Sequence, residues 1–174
     1  MENPGTGGWL PAPIRTERLV LRESEARDRP AFLEMNTSPQ VNAYLGGPQS
    51  PDEAERLPET PGRRPGVFVV DLGGRMIGTV LLERRIMGPA GRDRPEEVDL
   101  GYLFLPEFWG AGYAAEGCSA ALDWFAGAFP GERVVLYTQS ANEPSMRLAA
   151  KLGFTEERRF QKWGAEQWMG VWQA

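Results

Sequence analysis

Histidine is absent from the 174 residues, cysteine occurs once, and lysine occurs only at Lys151 and Lys162. Without histidine there is no Ser-His-Asp triad, no Cys-His pair and no histidine-ligated metal, and no metal site is expected. A general base working near neutral pH is then a carboxylate, a water, a tuned Tyr or Cys, or the substrate itself. The lone Cys118 cannot close an intrachain disulfide, which fits a reducing cytoplasm. It falls on the apolar face of an expected helix, where a buried, inert thiol outweighs a nucleophile. No apolar run is long enough to cross a bilayer, so no membrane partner is expected. The opening MENPGTGGWLPAP lacks the basic and apolar regions of a signal peptide. Positive charge is also short: 19 Lys and Arg against 24 Asp and Glu leave a net charge of -5. That balance argues against nucleic acid, whose binders rest on basic phosphate contacts, and mildly favours cationic ligands such as amines. The scarcity of lysine among the basic residues points to a GC-rich bacterial genome.

What is present suits one packed domain. Apolar residues make up 41%, with 6 Trp and 8 Phe, and a chain this long buries about 70% of its unfolded surface. Residues 1–13, rich in Gly and Pro, read as a loosely held tail, leaving 14–174 as the domain.

The most informative stretch is Val98 to Phe129, a buried strand that turns through a glycine-rich loop into a helix. Gly110, Gly112 and Ala114 alternate where the strand pattern stops and the helical one begins. Small residues there let backbone N–H groups approach an anion, and the helix dipole aims at the same point. A phosphorylated ligand is expected. The loop is no Walker A motif, since Tyr113 follows Gly112 with no lysine nearby. Gly110-Ala111-Gly112-Tyr113-Ala114-Ala115 formally matches a dinucleotide fingerprint, but that needs an acidic residue ending the next strand. Glu132 precedes that strand instead.

The order of strand, Trp-Gly-x-Gly-Tyr-Ala loop, helix, strand, Asn142-x-x-Ser145 and Leu152-Gly153-Phe154 resembles the GNAT superfamily of acetyl-CoA-dependent N-acetyltransferases. The likeness is strongest to the branch containing the ribosomal-protein N-terminal acetyltransferases. Thr16-Glu17-Arg18-Leu19-Val20-Leu21-Arg22 looks like that branch's first strand and Asp99-Leu100-Gly101-Tyr102 like its central one. The resemblance runs from Thr16 to about Trp172. It implies a mixed α/β fold: a mostly antiparallel sheet of six to seven strands, splayed at the central strand and flanked by helices.

Periodicity fills in the elements. Arg15–Arg22 reads as a strand and Ala26–Met35 as a helix. Gln40–Leu45 suggests a further helical turn, and the proline-rich 46–65 holds at most a short helix at Asp52–Leu57. Val67–Asp71 and Arg75–Arg85 form a hairpin at Leu72-Gly73-Gly74. A polar connection at 88–96 leads to a strand at Glu97–Leu105. A helix follows at Ala114–Phe129, then a strand at Arg133–Gln139. Asn142 caps a helix ending at Gly153, and Phe154–Lys162 with Gln167–Trp172 closes the sheet.

Transfer of an acetyl group to an amine needs a polarised carbonyl, a neutral amine, a leaving thiolate and proximity. By family resemblance, the backbone of Leu103, Phe104 and Leu105 meets the pantetheine arm and the acetyl carbonyl. The loop Trp109, Gly110, Ala111, Gly112, Tyr113 and Ala114 cradles the pyrophosphate, with Asn142 and Ser145 also at the cofactor. Relatives often carry Gln or Arg where Trp109 stands, so binding leans on backbone amides. The superfamily's usual acid, a Tyr, is replaced by Ala149. A serine at the place of Ser145 has this task in the ribosomal-protein branch, as a hydrogen-bond donor more than a full acid; the alternative is that Ser145 merely caps its helix, which Asn142 alone would do adequately. Glu97 and Asp99, two apart on a strand, face one side and are candidates for binding the amine and taking its proton. Glu156 and Glu157 are weaker rivals. Trp163, Trp168 and Trp172 are expected to close the core, and Lys151 to be solvated. The acetyl donor is acetyl-CoA and the acceptor an amine; dimers are common in the branch, so a homodimer is compatible with it. A coenzyme A-binding module without catalysis and a small dinucleotide-binding oxidoreductase remain the alternatives.

Overall fold

A computed structural model describes residues 12–86 and 96–173. Nearly all of the expected tail and most of the polar connection at 88–96 lie outside them. Eight strands form one sheet in the order β1-β2-β3-β4-β5-β6-β8-β7. They are β1 (Ile14–Arg15), β2 (Val20–Arg22), β3 (Val67–Leu72), β4 (Arg75–Ile86), β5 (Glu96–Phe104), β6 (Arg133–Gln139), β7 (Thr155–Lys162) and β8 (Ala165–Gln173). The helices are α1 (Arg29–Thr37), α2 (Pro51–Glu55), α3 (Tyr113–Ala128) and α4 (Glu143–Leu152). Every strand pair is antiparallel except β5 with β6, which are parallel and joined through α3. A parallel pair requires such a crossover.

The count exceeds the expected six or seven because the first strand is broken. Thr16 donates its N–H to the Leu19 carbonyl at 2.9 Å and its side chain accepts from Leu19 N–H at 2.9 Å. This tight turn folds β1 back on β2 as a small hairpin. Gln40–Leu45 forms turns and not a helix, with Asn42 Nδ2 tied to the carbonyls of Met35 and Ser38. Such side-chain bonds offer the backbone an alternative to helical pairing.

Strand alternation sends the core to two faces. Val98, Leu100 and Phe104 of β5 join Val134 and Leu136 of β6 beneath Cys118, Ala121, Leu122 and Phe125 of α3 and Ala149 of α4. On the opposite face Leu103 and Leu105 pack with Phe32 and Met35 of α1, Val69 and Met76. Trp168 is buried and Trp172 half-buried against the larger core, but Trp163 is 81% exposed at the β7–β8 turn. There its left-handed backbone, with φ 54, turns the ring outward under Lys162. The edge strand β7 is largely exposed on both faces and carries Glu156, Glu157, Arg158, Arg159 and Lys162, charges that discourage edge-to-edge pairing.

Candidate active site

The sheet parts at its centre. Pairing between β5 and β6 is confined to Val98 with Val134 and Asp99 with Val135. Beyond them β6 pairs with β8 to its end, while β5 stays on β4 as far as Phe104. The half of β5 from Leu100 onward therefore borders a wedge. An extended chain turns its backbone groups to alternate sides, and the N–H of Leu105 goes to the Ile77 carbonyl of β4 at 2.9 Å. Leu103, in step with Leu105, also faces β4, so Tyr102 and Phe104 are the residues whose backbone edges the wedge. The Phe104 carbonyl accepts from Trp109 Nε1 at 2.8 Å. Behind this edge Gly78 lets β4 approach: a Cβ there would lie 2.4 Å from the Leu103 carbonyl oxygen.

The loop from Trp109 leads straight to α3. Gly110 and Gly112 have φ of 79° and 83°, the left-handed region open to glycine. Gly112 is the N-cap of α3, and no side chain caps it. The first N–H groups of the helix thus face outward beside the wedge. Sequence reasoning placed no cation here, but the β1–β2 turn delivers one. Arg18 donates to Glu116 Oε1 at 2.7 Å and to the Ala111 carbonyl at 3.0 Å, and its guanidinium lies 4.4 Å from the Tyr113 ring centre. Its Nη2 lies 3.4 Å from where a Gly112 Cβ would stand. Burial would raise the Glu116 carboxyl, but bonds from Thr16 and Arg18 hold it below its ordinary range. A contact about a hundred residues long leaves no local pattern, which is why Arg18 read only as part of a strand.

Across the wedge, Asn142 Oδ1 accepts the Ser145 N–H at 3.3 Å and caps α4. Ser145 Oγ is therefore not needed for capping. It is hydrogen-bonded instead to Tyr102 Oη. Ser145 is buried, and Ala149 one turn on is 0% exposed within the core. Burial pushes the Tyr102 phenol up to about 12, against the opposing bond to Ser145. Cys118 is fully buried nearby, and burial pushes its thiol up as well.

Glu97 and Asp99 share the face opposite Tyr102 and Ser145, as alternation requires. Asp99 is buried at the apex of the wedge. Glu97 lies past the Val98–Val134 pair on the side away from the wedge, where Arg133 Nη2 donates to it at 2.6 Å and Tyr137 Oη at 3.2 Å. Burial first, with the Glu97 charge adding, pushes the Tyr137 phenol up despite Arg158. Glu157 pairs with Arg133 and Glu156 with Arg159. Lys151 is exposed at the end of α4.

The sequence and the fold have counterparts among known proteins. The chain is 26% identical over 153 residues to the uncharacterized N-acetyltransferase YnaD of Bacillus subtilis, covering 86% of each. A GNAT-family acetyltransferase from Bacillus anthracis shares the fold with TM-score 0.75 and 22% identity, over 93% of this chain and 98% of that one. RimL, a ribosomal L7/L12 alpha-N-protein acetyltransferase solved in complex with coenzyme A, superposes with TM-score 0.72 at 17% identity, over 93% and 98%. Residues 18–155 match the acetyltransferase (GNAT) domain, running from Arg18 through the wedge, the glycine loop and α4, and the chain belongs to the GNAT acetyltransferase family.

Proposed function

We propose that this acetyltransferase moves the acetyl group of acetyl-CoA to a primary amine, either a protein N-terminus or a small-molecule amine, by direct attack in a ternary complex. The observation that carries the reading is the parting of β5 from β6 beside the uncapped start of α3. A thioester arm fits along the open edge of β5, with Phe104 N–H and the Tyr102 backbone as its partners. The loop 109–114 and the α3 amides take the pyrophosphate, and Arg18, shared with Glu116, adds a guanidinium donor the loop lacks. Ser145 meets the leaving sulfur from the α4 side. Asp99, at the apex, receives the amine proton directly or through water, with Glu97 behind it as an ion-paired support. Direct transfer is favoured because Cys118, the one thiol, is sealed in the core and cannot carry an acyl group.

Calorimetric titration with acetyl-CoA and with NAD, followed by mass spectrometry of a cell extract given labelled acetyl-CoA, tests this. Acetyl-CoA should bind and amine products should gain the label. NAD binding in its place would support the oxidoreductase; binding without any product would leave a coenzyme A-binding module.

A further inference from the structure

Ser145 has one proton to donate, and that proton has competitors. Ser145 stands in the first turn of α4, where the residue four back, Ala141, lies outside the helix and its carbonyl accepts the Glu143 N–H. The hydroxyl beside it comes from a different element. Tyr102, on the central strand, brings its phenol to Ser145 Oγ. We propose that Tyr102 is a positioning residue: its phenol donates to Ser145 Oγ and leaves the serine O–H to point at the departing sulfur. The inference rests on the acetyl-transfer reading and adds to it a residue that acts through Ser145.

The direction of the bond follows from the surroundings. Of two hydroxyls sharing one hydrogen bond, only one donates, and a phenol is the better donor. Tyr102 has few other outlets. It pairs with Val80 across β4, and the α3 group near it is the Cys118 thiol, which burial keeps protonated. Ser145 from α4 is its acceptor. The chain phenol to serine to sulfur then runs one way, and each bond polarises the next. In the reaction the amine nitrogen bonds to the acetyl carbon, the C–S bond breaks and its electron pair goes to sulfur. The Ser145 O–H stabilises that charge without changing owner. The amine's proton goes to Asp99 or water, and the released thiolate is protonated by solvent.

Steady-state kinetics with acetyl-CoA and an amine acceptor test the assignment. Tyr102→Phe should lower kcat about tenfold, the effect of one hydrogen bond, while KM for acetyl-CoA stays within about twofold. Ser145→Ala should do at least as much, and the double variant should be no worse than Ser145→Ala alone, since both act through one group. Because removing a buried hydroxyl can loosen the core, a fluorinated tyrosine at 102 provides an isosteric check. Its more acidic phenol should bring the alkaline fall of kcat to lower pH, because the ionised ring cannot donate. Unchanged kcat in Tyr102→Phe, additive losses in the double variant, or an unmoved pH profile with the fluorinated ring would each overturn the role of Tyr102 and leave acetyl transfer standing. A native chain that neither binds nor turns over acetyl-CoA would instead overturn the underlying reading.

Discussion

Asp99 and Glu97 are equivalent by spacing and unequal in the structure. Glu97 lies beyond the Val98–Val134 pair, bonded to Arg133 and Tyr137, and Asp99 stands where the two strands separate. Asp99→Asn keeps the size and the hydrogen-bonding capacity but removes the ability to take a proton. It should cost about 10²–10⁴-fold in kcat, the usual contribution of a positioned base, and flatten the acid limb of the rate profile. Glu97→Gln should cost far less. A variant Asp99→Asn that keeps rate and profile would leave catalysis to positioning alone, with water deprotonating the amine. The two carboxylates were legible in the sequence because strand periodicity assigns faces. Their different places were not, because the point where β5 leaves β6 depends on Val134 and Val135, about 36 residues away. The same holds for Tyr102 and Ser145: the serine stood out by its place after Asn142, while its phenol partner is 43 residues distant.

At the scale of elements, the glycine turn and α3 act as one unit. Gly112 holds φ 83° as the N-cap, and a side chain there is strained by about 1–2 kcal/mol before it touches anything. Gly112→Val also directs bulk toward Arg18 and over the first amides of α3. The expected result is a chain that remains folded, given the usual 5–15 kcal/mol of stability, and binds acetyl-CoA too weakly to saturate. Undiminished affinity of a folded Gly112→Val in calorimetry would remove the loop from the site. Most elements were readable from the chain because their signals are local. The cap and stop of α4 at Asn142 and Gly153, the Gly73-Gly74 hairpin and the 3.6-residue period of α3 fall where expected. The break between β1 and β2 was missed for the opposite reason. It is made by the Thr16–Leu19 turn and held by Glu116 from α3, so nothing in the apolar pattern of 14–22 announces it.

At the scale of the whole molecule, a buried charge network fixes how the sheet's edge meets the α1 side. Arg22 of β2 donates to both oxygens of Asp28 at 2.8 and 2.9 Å and to Asp71 of β3 at 2.8 Å. All three side chains are buried. The bonds to Asp28 and then Asp71 outweigh burial and raise the Arg22 guanidinium further above its ordinary value. Burial alone would raise the Asp28 carboxyl, but Arg22 and the Glu25 N–H together hold it below its usual range. A carboxyl lowered on folding contributes stability that is complete above its unfolded value, about 3.9. That stability is lost as pH falls through the lower folded value. Denaturant midpoints should therefore be flat with respect to this group near neutrality and drop below about pH 4. Arg22→Met removes the charge partner shared by two buried carboxylates, leaving Asp28 the Glu25 N–H and Asp71 the more distant Arg27 and the Gly74 N–H, and should cost about 3–5 kcal/mol near neutral pH. Its penalty should shrink in acid, where the Asp28 carboxyl protonates and no longer needs the partner. A variant whose loss of stability is the same at pH 7 and pH 4 would show that Arg22 contributes packing alone. The site depends on this edge because β2 is held in register on β3, and the turn just before β2 carries Arg18 to the glycine loop. Weakening the network should then reduce acetyl-CoA affinity in a protein still folded at low temperature, although no member of it touches the loop.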